Sequence, residues 1–153
     1  MTRVYISAVM NVRLDEAWAV LRDFNGLPNY HAFFKDSFIE DGLPADRIGC
    51  VRNFKMKEGE GFVRERLLSL SDREHLCCYE IVEASLPVRG YVSEMRLRPI
   101  TETTAERGAT FGEWWAEFEV APADQTAVIQ QVGDTFRLAF SGAEQVALQA
   151  RPR

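Results

Sequence analysis

The chain has 153 residues, 46% apolar and 27% charged, with a formal net charge of −5. That size suits one domain around one hydrophobic core, spanning 1–153, and the mix excludes a disordered polymer. The acidic balance excludes the basic footprint of general nucleic-acid binding and the Lys/Arg clusters that hold proteins on anionic membranes. No apolar run approaches the roughly 18 residues of a membrane span, so stable membrane insertion is not expected. The start, Met1 to Ile6, lacks the apolar core and cleavage site of a secretory signal. The cysteines are Cys50, Cys77 and Cys78, with no CxxC spacing, so no zinc site is expected. A reduced, cytoplasmic compartment is the expectation.

Residues 3–11 form the first predicted strand, rich in β-branched side chains. Asp15 then opens a helix whose apolar face carries Ala17, Trp18, Val20, Leu21 and Phe24. Gly26 ends it, Pro28 blocks its continuation, and Leu27 to Phe34 can hold one more short turn of helix. The period then changes. Strands are predicted over 37–41, 48–56, 62–70, 75–84, 91–100 and 110–120, separated by Gly-, Pro- and Asp-containing turns short enough to imply an antiparallel meander. The period changes once more after Pro122-Ala123-Asp124, where Asp124 is the expected N-cap. Val128, Ile129, Val132, Phe136, Ala139, Phe140, Ala143 and Ala147 recur at helical spacing, giving one helix of about 25 residues or ~37 Å. Gly133 and Gly142 interrupt it, which suggests a kink or a close approach to another backbone. Residues 151–153 are expected to fray. A curved sheet wrapped around the long helix buries both apolar faces.

This order of elements resembles the helix-grip fold of the SRPBCC superfamily, which includes the START lipid-transfer domains, the major birch pollen allergen and bacterial polyketide cyclase/dehydrase-like proteins. The segment from Ala17 to Gly26 looks like the family's helix after the first strand. Ile48-Gly49-Cys50-Val51-Arg52 with Phe54, Val63 to Leu67, and Tyr79-Glu80-Ile81 look like its third, fourth and fifth strands. Trp114 to Phe118 looks like its W-x-x-x-F strand before the last helix. Members often carry Trp where this chain has Tyr30. The resemblance implies an α+β helix-grip fold, with a strongly curved seven-stranded antiparallel sheet wrapping a long C-terminal helix and two short helices between strands one and two. It also implies a cavity between sheet and helix for a hydrophobic or aromatic ligand.

Strand alternation predicts the cavity wall. Pairing Arg52 with Glu65, Phe54 with Val63, Glu65 with Tyr79, Val63 with Ile81, Tyr79 with Met95 and Met95 with Trp114 sorts the residues onto two faces. One carries Phe54, Val63, Leu67, Ile81, Met95 and Trp114; the other carries Asn53, Arg64, Arg66, Glu80, Arg96 and Glu113. A one-residue slip would flip any strand. Arg52, Glu65 and Tyr79 fall on the apolar face, where Arg52 and Glu65 must pair to be buried at tolerable cost. Two readings stand side by side. The pair satisfies itself inside the barrel, or it faces a ligand cavity where Arg52 binds a carbonyl, carboxylate or phenolate oxygen.

The expected ligand contacts are therefore Arg52, Phe54, Glu65, Tyr79, Met95, Trp114 and Phe140. The leading expectation is a binder of a small hydrophobic or aromatic molecule, for transport or sequestration. The rival is a cofactor-independent cyclase or aromatase acting on a poly-keto or aromatic substrate, with Arg52, Tyr79 and His31 as catalytic candidates. Its alternative role for His31 is a surface or hydrogen-bonding one, and His75 is read as a solvated turn residue. Neither reading calls for a metal or a cofactor. A third is an interaction module with a filled core, with outward Trp115 marking a homodimer contact or packing over its strand neighbours.

Overall fold

A computed structural model describes residues 1–150; the expected fraying of 151–153 lies outside them. Strand β1 (Thr2–Met10) leads into α1 (Leu14–Leu21) and the single-turn α2 (Leu27–Tyr30). There follow β2 (Phe34–Ile39), β3 (Val51–Met56), β4 (Phe62–Ser71), β5 (Leu76–Ala84), β6 (Arg89–Ile100) and β7 (Ala109–Glu119), then α3 (Gln125–Gln149). The seven strands form one antiparallel sheet in the order β1-β7-β6-β5-β4-β3-β2. Its inner face and the apolar stripe of α3 share one core, to which Phe118, Leu97 and Leu67 contribute from the sheet and Phe136, Phe140 and Ala143 from the helix. This is the α+β helix-grip architecture.

Local chemistry explains where the boundaries differ from expectation. Helix α1 begins at Leu14 rather than Asp15, because the Arg13 backbone N–H donates to the Glu16 carboxylate and closes the first turn. It stops at Leu21, and Asp23 then builds a tight turn by accepting from the Asn25 N–H. Strand β2 starts three residues early, at Phe34, and bulges between Lys35 and Phe38, with Asp36 at φ 55°. Strand β3 starts at Val51, since Gly49 turns the chain at φ 93° just before it. Asp124 stands at the start of α3 but its side chain makes no capping bond.

The pairings of Arg52 with Glu65, Phe54 with Val63 and Met95 with Trp114 are those predicted. The others are not. Glu65 faces Ile81, Tyr79 faces Leu67 on one side and Ser93 on the other, and Val63 faces Ala84. Bulges between Arg64 and Glu65 and between Leu67 and Ser69 shift the β4–β5 register. Where the slip is two residues it is a full side-chain period, so the inward face keeps its inward residues.

Two glycines set how closely the layers approach. A Cβ on Gly142 of α3 would lie 1.8 Å from the Tyr30 carbonyl oxygen, so only glycine lets α2 dock there. A Cβ on Gly112 of β7 would lie 2.5 Å from the Phe140 ring. At Gly133 the nearest atoms are the flexible end of Arg137, and α3 runs unbroken through it.

Candidate functional site

The inner face of the sheet does not close fully on α3. Between them lies a cavity of about 160 Å³. Phe54, Val63, Ile81 and Trp114 wall it from the sheet, and Val132, Phe136 and Ala139 from the helix. Leu27, His31 and Phe34 close the end beneath α2. Exposed Gln131 of α3 and exposed Ser85 and Pro87 of the β5–β6 connection rim the opposite side, where the cavity meets solvent. The opening thus lies between that connection and the first half of the long helix.

One polar cluster interrupts the apolar wall. Arg52, 4% exposed, reaches from β3 toward Glu65 of β4, 5% exposed. Its Nε donates to Glu65 Oε1 at 2.8 Å, and its Nη2 lies 2.7 Å from the same oxygen. Its Nη1 donates to the Phe24 carbonyl at 3.0 Å. That carbonyl is available because α1 has already ended, leaving it outside the helical ladder. The Phe24 and Tyr79 rings lie 4.1 and 4.8 Å from the guanidinium carbon, where their π faces favour a cation. Burial lifts the Glu65 carboxyl above its ordinary value, while the Arg52 charge pulls it down. Arg52 keeps its charge beside Glu65, and a buried guanidinium without its counter-ion is costlier than the pair.

A second polar chain continues from Tyr79. The Trp114 Nε1–H lies 3.0 Å from both the Tyr79 hydroxyl and the Ser93 hydroxyl, and Ser93 donates to the Trp115 carbonyl at 2.8 Å. Trp114 stacks on Phe136 of α3, with centroids 5.0 Å apart and planes 10° from parallel. This bridge between sheet and helix fixes the back wall. Burial drives the Tyr79 and Tyr91 phenols well above their usual range, so both keep their protons at neutral pH.

The catalytic candidates fare differently. Arg52 and Tyr79 meet at the cavity. His31 also lines it but is 2% exposed, which removes the surface role. Its Nδ1 accepts from the Phe33 N–H at 3.2 Å, so the proton sits on Nε2, which donates to the Thr135 carbonyl at 2.9 Å. Burial lowers its pKa and holds it neutral, with both nitrogens engaged. His75 is half-buried rather than solvated, its ring edge-on to Trp18 at 5.5 Å.

Of the expected contacts, Arg52, Phe54, Glu65, Tyr79 and Trp114 line the cavity. Met95 and Phe140 do not: Met95 is buried where Cys77 and Trp114 flank it across the sheet, and Phe140 is spent filling the space above Gly112. Tyr30 is buried on the α3 side, with its carbonyl against Gly142, and forms no part of the wall. Tyr91 is a wall residue that sequence reasoning missed, although it shares the inward alternation of Ser93, Met95 and Leu97. Cys77 lies buried beside the cluster, its thiol pushed up to about 12 by desolvation. On the outer face Trp115 is covered by its own neighbours: its Nε1 donates to Glu94 at 3.2 Å and Arg3 lies over the ring at 4.9 Å.

The family described as polyketide cyclase/dehydrase and lipid transport matches residues 1–147. The chain belongs to that family. Solved structures agree on the fold of this family member. The Bacillus cereus protein XoxI has 21% identity, covers both chains fully and superposes with a TM-score of 0.83. A Thermobifida fusca protein has 16% identity and a TM-score of 0.81, with 97% of this chain and 95% of that one covered. Norcoclaurine synthase from Thalictrum flavum, solved with dopamine and hydroxybenzaldehyde, has 14% identity and a TM-score of 0.76 over 99% of this chain and 89% of that one. No curated protein matches the family member by sequence. Among its described residues no helix is long and apolar enough to cross a membrane.

Proposed function

We propose that this protein binds one small, mainly apolar or aromatic molecule in the cavity between the sheet and α3. The observation that carries the reading is a preformed cavity, open at one side, whose apolar wall holds the buried Arg52–Glu65–Tyr79 cluster. This is the ordinary form of a small-molecule site. Its family includes lipid-transport and cyclase members, which supports the same reading at a coarser level. Size narrows the ligand. A cavity of about 150 Å³ lined by apolar side chains takes one benzene, and this one measures about 160 Å³. A poly-keto chain long enough to close several rings needs the β5–β6 connection to move away from α3 first. The cyclase reading also needs a proton-moving group, and both His31 nitrogens are already engaged. A filled interaction module does not suit a protein that keeps this space open. The three free cysteines suit a reducing compartment.

Ala139, on the helix wall and 1% exposed, offers the test. Ala139→Leu places three further carbons in the cavity without touching the polar cluster. Binding of single-ring aromatic probes, read by titration calorimetry, is expected to be lost while thermal stability is held or raised. Undiminished binding in Ala139→Leu sinks the assignment of the cavity as the site.

A further inference from the structure

The ion pair at the cavity is lopsided. Both close contacts from Arg52 fall on Oε1 of Glu65, at 2.8 and 2.7 Å. Among the described residues no group donates a hydrogen bond to Oε2. A carboxylate has about four acceptor sites, and this one is on the cavity wall with its side chain 7% exposed. A buried acceptor left without a donor is costly, so a molecule that donates to it is favoured over one that covers it.

Charge decides what kind of donor. A carboxylate or phenolate ligand brings a second negative charge to Glu65. An ammonium ligand brings a second positive charge to within a few ångströms of Arg52, which already neutralises that carboxylate. A neutral hydroxyl avoids both. The wall decides the rest, since Phe34, Phe54, Trp114 and Phe136 present ring faces and edges around a volume of one ring.

We infer that the cavity is built for a neutral single-ring hydroxyaryl compound whose hydroxyl donates to Glu65 Oε2. This rests on the cavity-binding reading above and names its ligand class. It also reverses the expected polarity of the site: the contact is an acceptor on Glu65, and Arg52 orients and neutralises that acceptor rather than gripping the ligand's oxygen.

The test is a calorimetric panel on the wild-type protein at pH 7.5, using p-cresol, p-xylene, p-methylanisole and p-toluate, which share a ring and a methyl group. p-Cresol is expected to bind about 10- to 100-fold more tightly than p-xylene or p-methylanisole, the range for a hydrogen bond to a charged acceptor. p-Toluate is expected to bind most weakly. Equal binding of p-cresol and p-xylene overturns the Glu65 contact while leaving an apolar cavity site standing. Tightest binding by p-toluate overturns it in favour of Arg52 as the ligand contact. No binding by any probe removes the cavity reading itself, and the inference with it. In Glu65→Gln the amide oxygen can still accept from Arg52 while its NH2 faces the cavity, so the preference should invert toward p-methylanisole. If that variant fails to fold, the wild-type panel decides alone.

Discussion

Arg52 is held by three kinds of contact at once: an ion pair, a backbone carbonyl and the aromatic rings of Phe24, Phe54 and Tyr79. Breaking a buried pair leaves the other charge stranded, which costs about 3–5 kcal/mol. Arg52→Met should therefore lower stability by about that amount in urea denaturation. The double variant Arg52→Met/Glu65→Leu should recover most of it, since an apolar pair of similar volume is often neutral or better. A double variant no more stable than Arg52→Met would show that packing on Phe24 and Tyr79, rather than charge, holds Arg52. His31 gives a pH signature of opposite logic. Its pKa is lowered in the fold by burial, so below about pH 6.5 the unfolded chain takes up a proton that the native state refuses. Stability should fall as pH drops from about 6.5, by at most about 1.4 kcal/mol per pH unit. Glu65, raised by burial, contributes with the other sign, losing stability as pH climbs through its folded value. The quantity to read is thus the difference between wild type and His31→Gln across pH 5.5–7.5, which should show the His31 slope alone.

At the scale of elements, the two glycines of α3 make a matched pair. Gly142→Ala drives a Cβ into the Tyr30 carbonyl, a backbone atom that cannot yield without moving α2. The expected cost is about 1–3 kcal/mol from overpacking, with α2 and the His31 end of the cavity displaced. Gly133→Ala meets only the Arg137 side-chain end and should gain up to about 1 kcal/mol of helix propensity. Thermal denaturation of both variants tests the pair, and equal behaviour would contradict the close approach. The same elements show what pattern alone can reach. The change of period from two to helical spacing located β3 to β7 and α3 to within a few residues, because each element buries one face throughout. The inward set Phe54, Leu67, Met95 and Trp114 was legible for that reason. Register was harder. The β4–β5 bulges have no signature in residue type, and a two-residue slip leaves the face pattern unchanged, so nothing in the alternation could reveal it.

Over the whole molecule, the site is a product of layers meeting rather than of any single segment. Arg52 and Glu65 were readable because charges on an apolar face must pair. Their docking on the Phe24 carbonyl was not, because it depends on α1 stopping at Leu21. Met95 and Phe140 have the right face and the wrong depth, and depth along a strand or helix is set by the curvature of the sheet, which alternation does not encode. Phe140 is displaced into the core by the absence of a side chain at Gly112, a long-range fact about two residues on different elements.

The sheet order carries a consequence for how the protein is made. The first strand pairs along its length with the last, Thr2 opposite Phe118 and Met10 opposite Thr110. During synthesis at roughly 5–20 residues per second, β1 waits on the order of 6–20 s for its sheet neighbour β7 to emerge. Through that interval Val4, Ile6 and Ala8 have neither ladder nor core. The nascent chain is then most exposed to chaperone capture and to pairing with the β1 of a neighbouring polysome. A circular permutant that opens the β5–β6 connection and joins the original termini would bring β7 and β1 together in translation, and should fold with less aggregation than the natural order.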